Sequence, residues 1–141
     1  MSAPKTDEPV VLVVDDEKLV RTVVSRSLVG HGFRVLEASD GKEALATAFA
    51  QLPDLVVLDL CMPSLDGGSV CRALRRDERT RELPILVLTG LIETHTEVEV
   101  LELGADDYMT KPFDPAELRA RLKALRRRNA ESPAPPPDKN A

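Results

Sequence analysis

The stretch VVLVVDD, at residues 10–16, joins an uninterrupted apolar run to two acidic residues, and it decides the fold class. Two later segments repeat the pattern: LVVL at 55–58 is followed by Asp59, and ILVL at 85–88 is followed by Thr89. Apolar runs without alternation are typical of strands that helices cover on both faces, as in a parallel sheet. The carboxyl ends of such strands lie side by side, and open α/β sheets bind their ligands there.

Polar residues at these strand ends would therefore meet in one crevice. The set contains three carboxylates, a hydroxyl and, after a further short segment, an ammonium: Asp15, Asp16, Asp59, Thr89 and Lys111. Each residue alone is common at a strand end as a turn, a cap or a solvated charge. Together, acids that repel one another favour a cation, and the Lys and Thr beside them favour an anion. The joint pattern indicates a magnesium-dependent aspartyl-phosphate site.

Helical patterns separate the strand candidates, and a more alternating segment at 33–38 is typical of an edge strand. The fifth helix has the clearest start, with Asp114 as N-cap and Pro115 in the first helical position. The fourth helix is indicated by an apolar stripe at Val98 and Leu101. Five strands alternating with five helices predict an α/β fold, a parallel sheet with helices packed on it.

Composition limits the possible functions. The chain has 141 residues, of which 43% are apolar and 30% charged, and its formal net charge is −5. We expect one soluble globular domain that makes no direct contact with nucleic acid or membrane, because both need a basic surface or a long apolar run. Asp7 and Glu8 stand where a signal peptide would be apolar, so a cytoplasmic location is expected. Cys61 and Cys71 lack metal-binding spacing, and Cys71 is expected in the core.

Several segments together resemble the receiver domains of two-component response regulators. They are VVDDE at 13–17, LDLCMP at 58–63 with Asp66 and Gly67, LTG at 88–90, and GADDYMTKPF at 104–113. The resemblance covers about residues 10–128 and implies a flavodoxin-like (βα)5 three-layer sandwich whose parallel sheet has the order 2-1-3-4-5. Residues 1–9 are expected to form a flexible N-terminus, and residues 129–141 a disordered proline-rich tail or linker.

The resemblance implies a role for each site residue. Asp59 would accept a phosphoryl group from a histidine kinase or a histidine phosphotransfer protein. Asp16 and Asp59 would be carboxylate ligands of Mg²⁺ (or Mn²⁺), with the backbone carbonyl of Cys61 as a third protein ligand. Asp15 would act mostly through a coordinated water, and Lys111 would attract the phosphoryl oxygens. The chain would then not be an enzyme, since it would catalyse only its own phosphorylation and dephosphorylation.

The resemblance also implies a switch. The Thr89 hydroxyl would move to bond the new phosphoryl oxygen, and the Tyr108 ring would fill the space that it leaves. A downstream protein would recognise the resulting change on the face formed by the fourth helix, the fifth strand and the fifth helix. The peptide bond between Lys111 and Pro112 is expected to be cis, and Gly67 is expected to serve a turn with positive φ.

Three positions depart from the usual receiver pattern. Gly90 stands where alanine is common, which would leave the loop more mobile and the phosphoryl group more open. Cys61 and Leu91 stand where polar groups often orient the attacking water, and neither side chain does so well. Because hydrolysis needs a positioned water, a long-lived phosphorylated state is expected.

The last helix resembles that of winged-helix response regulators, whose receivers dimerise through acid–base pairs. Asp107, Glu117 and Arg121 match that pattern. The fourth helix, however, carries acids where basic partners are expected: Glu97, Glu99 and Glu102. We therefore expect a monomer or a weak phosphorylation-dependent dimer. The basic run at 126–128 is interpreted as favourable charge at a helix C-terminus rather than as a nucleic-acid site.

The main alternative is a pseudo-receiver or truncated receiver, a protein-interaction module that works without phosphorylation. The complete acceptor set weighs against it. An aspartyl phosphatase of the dehalogenase type would need a second Asp two residues after Asp59, where the chain has Cys61. A flavin or nucleotide module would need a glycine-rich phosphate loop, which the sequence lacks.

Overall fold

The structure, a computed structural model, describes residues 8–60, 62, 66–90 and 97–131. Strands and helices alternate along the chain. The strands are β1 (Val10–Val14), β2 (Arg34–Ala38), β3 (Leu55–Leu58), β4 (Ile85–Gly90) and β5 (Asp107–Lys111). The helices are α1 (Lys18–Leu28), α2 (Gly41–Gln51), α3 (Gly67–Arg76), α4 (Glu97–Glu102) and α5 (Pro115–Glu131).

All neighbouring strands run parallel, in the order β2-β1-β3-β4-β5. The predicted α/β class and the sheet order 2-1-3-4-5 are therefore confirmed. From β1 the chain goes out to the edge strand β2 and returns to β3 on the other side, so the direction of winding changes between β1 and β3. Such a point opens a crevice beyond the carboxyl ends of the two strands. Val14 lies beside Leu58 in the sheet, which brings Asp15 and Asp59 to the same edge.

Alternate residues of the central strands face opposite helix layers, which explains the uninterrupted apolar runs. On β1, Leu12 and Val14 pack with residues of α2, α3 and α4, whereas Val11 and Val13 pack with residues of α1 and α5. Cys71 of α3 is fully buried, as expected, and burial raises the pKa of its thiol to about 11. The sheet is thus the middle layer of three.

Helix α5 begins with the predicted N-cap, Asp114. The side chain of Asp114 accepts a hydrogen bond from the backbone N–H of Ala116 at 3.0 Å, and its carbonyl accepts one from Leu118 at the same distance. The helix then runs to Glu131, beyond the point near residue 128 where its sequence pattern stops. Within the described ranges, no helix is both long enough and apolar enough to cross a membrane.

The prediction that Val98 and Leu101 form the core-facing apolar stripe of α4 is wrong. Val98 and Leu101 are 64% and 42% exposed, and the α4 residue that packs into the core is Val100. The described part of this helix has six residues. Two apolar positions in so short a stretch show too little periodicity to fix which side faces the sheet.

Candidate functional site

Three carboxylates meet where β1 and β3 end. One oxygen each from Asp15, Asp16 and Asp59 lies within 4.8 Å of the others. Asp15 and Asp59 are 3% and 5% exposed, whereas Asp16 faces solvent. Two carboxylates at about this separation repel by about 3 kcal/mol at an effective dielectric constant of about 20. The arrangement therefore favours a cation held by oxygen atoms.

Lys111, at the end of β5, brings a positive charge to the cluster. Its Nζ donates a hydrogen bond to Oδ2 of Asp15 at 2.9 Å and lies 3.8 Å from Oδ2 of Asp59. Burial lowers the pKa of Lys111, but the hydrogen bond to Asp15 and the charges of Asp59 and Asp15 together raise it above its usual value. The ammonium therefore stays charged at neutral pH. It offsets one of the three carboxylates, so the cluster keeps a negative excess that suits a divalent ion.

The carboxylate of Asp15 is held from two sides. Its Oδ1 accepts a hydrogen bond from the backbone N–H of Glu17 at 2.9 Å, while its Oδ2 accepts the one from Lys111. The side chain of Asp16 is exposed to solvent instead. This difference suits the expectation that Asp16 rather than Asp15 contacts a metal directly.

Thr89 is fully buried at the end of β4. Its Oγ1 is the one buried side-chain nitrogen or oxygen in the described part of the chain that lacks a hydrogen-bond partner. Leaving such a group unsatisfied costs about 1–3 kcal/mol. The position fits a site where an incoming oxygen completes the hydrogen bond.

Tyr108 lies on β5, the strand next to β4, and pairs with Val87 in the register. The side chain is half-buried and packs against the core between the sheet and α2, α3 and α4. Gly90, the last residue of β4, lies beside Lys111. The structure thus brings Thr89, Tyr108 and Lys111 to two adjacent strands.

Gly67 is required for a different reason from the one expected. Its φ is not positive: in the described ranges the glycines with positive φ are Gly30, Gly32 and Gly104. A Cβ on Gly67 would lie 2.5 Å from the backbone oxygen of Asp59 and 2.6 Å from Cα of Leu60. The first turn of α3 packs directly on the backbone of the candidate phosphoacceptor. Sequence reasoning found the residue but missed this close approach between segments.

Further expectations concern the Lys111–Pro112 peptide bond and the residues Cys61 and Leu91. The Lys111–Pro112 peptide bond is cis, as the resemblance implies. Cys61 and Leu91 lie outside the described residues, so the carbonyl ligand and the slow hydrolysis stay predictions.

Arg121, one of the residues that match the acid–base pattern of receiver dimers, forms ion pairs inside the chain. Its Nη1 lies 2.9 Å from Oδ1 of Asp107, and its Nη2 lies 2.9 Å from Oε2 of Glu117.

Comparison with known proteins gives consistent matches. The family model for the response regulator receiver domain matches residues 11–123. The DNA-binding dual master transcriptional regulator RpaA of Synechocystis sp. is 44% identical over 125 residues, covering 89% of this chain and 52% of RpaA. The alkaline phosphatase synthesis transcriptional regulatory protein PhoP of Bacillus subtilis is 50% identical over 119 residues, covering 84% of this chain and 49% of PhoP. The chain therefore spans about half the length of these relatives.

Among solved structures, the Francisella response regulator 1452 receiver domain has a TM-score of 0.78 and 37% sequence identity. The match covers 86% of this chain and 98% of that one. The likeness therefore extends over a complete solved receiver domain, and it includes the flavodoxin-like layering.

The relatives correct one expectation, that of no direct contact with nucleic acid. RpaA is named as DNA-binding, and PhoP as a regulator of transcription. The expectation was wrong because it rested on the net charge of −5, which describes these 141 residues alone. The charge of a segment that spans about half of its relatives says nothing about a DNA-binding surface in the remainder.

Proposed function

Because the chain belongs to the response regulator receiver domain family, we propose that it is a phosphorylation switch in which Asp59 accepts a phosphoryl group from a histidine kinase. The placement of Asp59 carries the proposal. Its carboxylate is buried at the crevice, clusters with Asp15 and Asp16, and has the ammonium of Lys111 3.8 Å away. A carboxylate so placed is a suitable nucleophile, since cations neutralise the charge of the incoming group.

The residues present fit a magnesium ion, or manganese in its place. Asp16 and Asp59 would be direct ligands, and Asp15, whose two oxygens already accept hydrogen bonds, would act through water. The backbone carbonyl of Cys61 is the third protein ligand that we propose. When bound, the ion would neutralise charge on the transferring phosphoryl group.

The chemical step then depends mainly on positioning. A carboxylate oxygen of Asp59 attacks phosphorus, and the bond between phosphorus and the donor imidazole nitrogen breaks. The electron pair stays on that nitrogen, which takes up a proton from solvent. Lys111 attracts the phosphoryl oxygens, because its raised pKa keeps it charged and its contact with Asp15 holds it beside Asp59.

The response would pass through Thr89 and Tyr108. The buried hydroxyl of Thr89, without a partner among the described residues, would bond a phosphoryl oxygen and gain the hydrogen bond that it lacks. Movement of Thr89 would free space for the Tyr108 ring on the neighbouring strand. The exposed α4–β5–α5 face, which includes Val98 and Leu101, would change and control a partner.

The relatives suggest where such a switch would act. Because RpaA and PhoP are named as transcriptional regulators, we propose that this receiver controls transcription as part of a cytoplasmic regulator. Phosphorylation of Asp59 would then govern the contact between such a regulator and DNA.

Acyl-phosphate labelling tests the proposal. Incubation with acetyl phosphate and Mg²⁺ should add one phosphoryl group to the wild-type chain, measured by intact mass spectrometry. Asp59→Asn should abolish the addition. Asp54→Asn is the matched control, because Asp54 directly precedes β3 just as Asp59 directly follows it. Labelling of Asp59→Asn at wild-type stoichiometry would refute the assignment, and an unlabelled wild type would favour the pseudo-receiver.

A further inference from the structure

Arg21, in the first turn of α1, makes a contact that the proposed mechanism does not use. Its Nη1 donates a hydrogen bond to the backbone carbonyl of Asp15 at 2.8 Å, and its Nε lies 3.3 Å from Oε1 of Glu37 on β2. The side chain is 15% exposed. The guanidinium therefore joins α1, the end of β1 and the edge strand β2.

Glu37 is itself held in place. Its second oxygen, Oε2, accepts a hydrogen bond from the hydroxyl of Ser25 at 2.9 Å, one turn further along α1. Arg21 is thus fixed between an oriented carboxylate on one side and the Asp15 carbonyl on the other. A planar guanidinium with several donors suits such a double contact, which a lysine cannot reproduce.

The carbonyl that Arg21 contacts belongs to the peptide group between Asp15 and Asp16. The Asp15 carboxylate is already held by Lys111 and by the N–H of Glu17. Asp16 is exposed to solvent, so its place depends on the orientation of that peptide group. We propose that Arg21, oriented by Glu37, is a positioning residue for the Asp16 carboxylate and thereby sets the affinity of the acidic cluster for a divalent cation. This inference rests on the magnesium site of the proposed function.

Loss of the Arg21 charge and loss of its positioning contact predict opposite effects on Mg²⁺ binding, which makes the inference testable. A guanidinium near the cluster repels a dication, so removing its charge alone would strengthen Mg²⁺ binding. Loss of the contact to the Asp15 carbonyl would instead let the peptide group turn, and Mg²⁺ binding would weaken. Partners that support metal ligands typically change metal affinity by about 10-fold to 100-fold when they are removed.

The experiment is calorimetric titration of the full chain with Mg²⁺. Arg21→Gln and Arg21→Lys should both weaken binding about 10-fold, the second despite its retained charge. Unchanged or tighter binding by Arg21→Gln would overturn the inference. Arg26→Gln, an exposed arginine of the same helix, is the matched control and should bind Mg²⁺ like the wild type.

Glu37→Gln gives an independent arm. It should weaken Mg²⁺ binding in the same direction, and its effect should not add to that of Arg21→Gln, because the two residues form one unit. If Arg21→Gln does not fold, unchanged binding by Glu37→Gln overturns the inference. If the wild type binds Mg²⁺, Asp16→Asn abolishes that binding and Arg21→Gln leaves it intact, this inference alone is refuted. A wild type that binds no Mg²⁺ would refute the proposed metal site with it.

Discussion

The hydroxyl of Thr89 is buried at the end of β4, and no described residue satisfies its hydrogen bonding. A buried unsatisfied polar group lowers folding stability by about 1–3 kcal/mol. The proposed phosphoryl oxygen would remove that penalty in the phosphorylated state only. The energy of Thr89 would therefore differ between the two states, as the proposed switch requires.

Replacing the Thr89 hydroxyl by a methyl group tests whether the unsatisfied hydroxyl destabilises the unphosphorylated chain. Thr89→Val should raise the free energy of unfolding of the unphosphorylated chain by about 1 kcal/mol, measured by urea unfolding, because the unsatisfied group is gone. Asp59 should still be labelled, but the amide chemical shifts of residues 97–125 should no longer respond. Thr110→Val, at the half-buried register partner on β5, is the control. Reduced stability or a wild-type shift response would contradict the prediction.

Two adjacent glycines of α3 provide a matched pair. Gly67→Ala should destabilise the chain by about 1–3 kcal/mol, because its Cβ would overlap the backbone of Asp59 and Leu60. The same change should reduce Asp59 labelling, since the backbone of the acceptor must shift. At Gly68 the nearest atoms to a Cβ are 3.4 Å away, so Gly68→Ala should be neutral or stabilising by about 0.5–1 kcal/mol. Equal unfolding free energies for the two variants would show that the close approach is absent.

At the scale of elements, Arg75 connects the end of α3 to two other segments. Its Nη1 donates to the carbonyls of Leu83 at 2.7 Å and Arg81 at 3.0 Å, ahead of β4. Its Nε and Nη2 donate to the carbonyl of Gly104 at 3.0 and 2.7 Å, and Nη2 also to Asp106 at 2.8 Å, between α4 and β5. One side chain therefore anchors the C-terminal end of α4, the helix on the proposed output face.

Loss of this anchor should loosen α4 and β5 more than the rest of the sheet. Arg75→Met should reduce hydrogen-exchange protection around residues 100–109 and lower the free energy of unfolding by about 2 kcal/mol, since several carbonyls lose a charged donor. Arg76→Met is the control, because Arg76 is exposed and lies in the same last turn of α3. Uniform loss of protection over all strands, or equal effects of the two variants, would argue against a local anchor.

For the whole molecule, the proposed magnesium site would link metal binding to stability. The unfolded chain has no such site, so Mg²⁺ at a 100-fold excess over its Kd should raise the free energy of unfolding by about 2.7 kcal/mol. Chelation with EDTA should reverse the gain, and Asp16→Asn should largely remove it. Glu78→Gln, an exposed change remote in sequence from the cluster, should keep it. Stabilisation that survives in Asp16→Asn would mean that Mg²⁺ acts elsewhere.

The sequence by itself determined the fold class and predicted which residues meet at the candidate site. The apolar runs ending in Asp15, Asp59 and Thr89 are local signals, because a strand covered on both faces must be apolar throughout. Parallel strands present their carboxyl ends at one edge, so residues far apart in sequence could be grouped before any contact was known. The cis Lys111–Pro112 bond was implied by the resemblance to receiver domains.

Only the tertiary structure decided which groups touch. Lys111 lies closer to Asp15 than to Asp59, Val100 rather than Val98 enters the core, and Gly67 lies against the backbone of Asp59. The hydrophobic periodicity of a single segment predicts none of these contacts, because each depends on how two segments distant in sequence pack together. Periodicity fixes the faces of an element, whereas contacts between elements fix distances, and the distances set the charge balance and hydrogen bonding of the site.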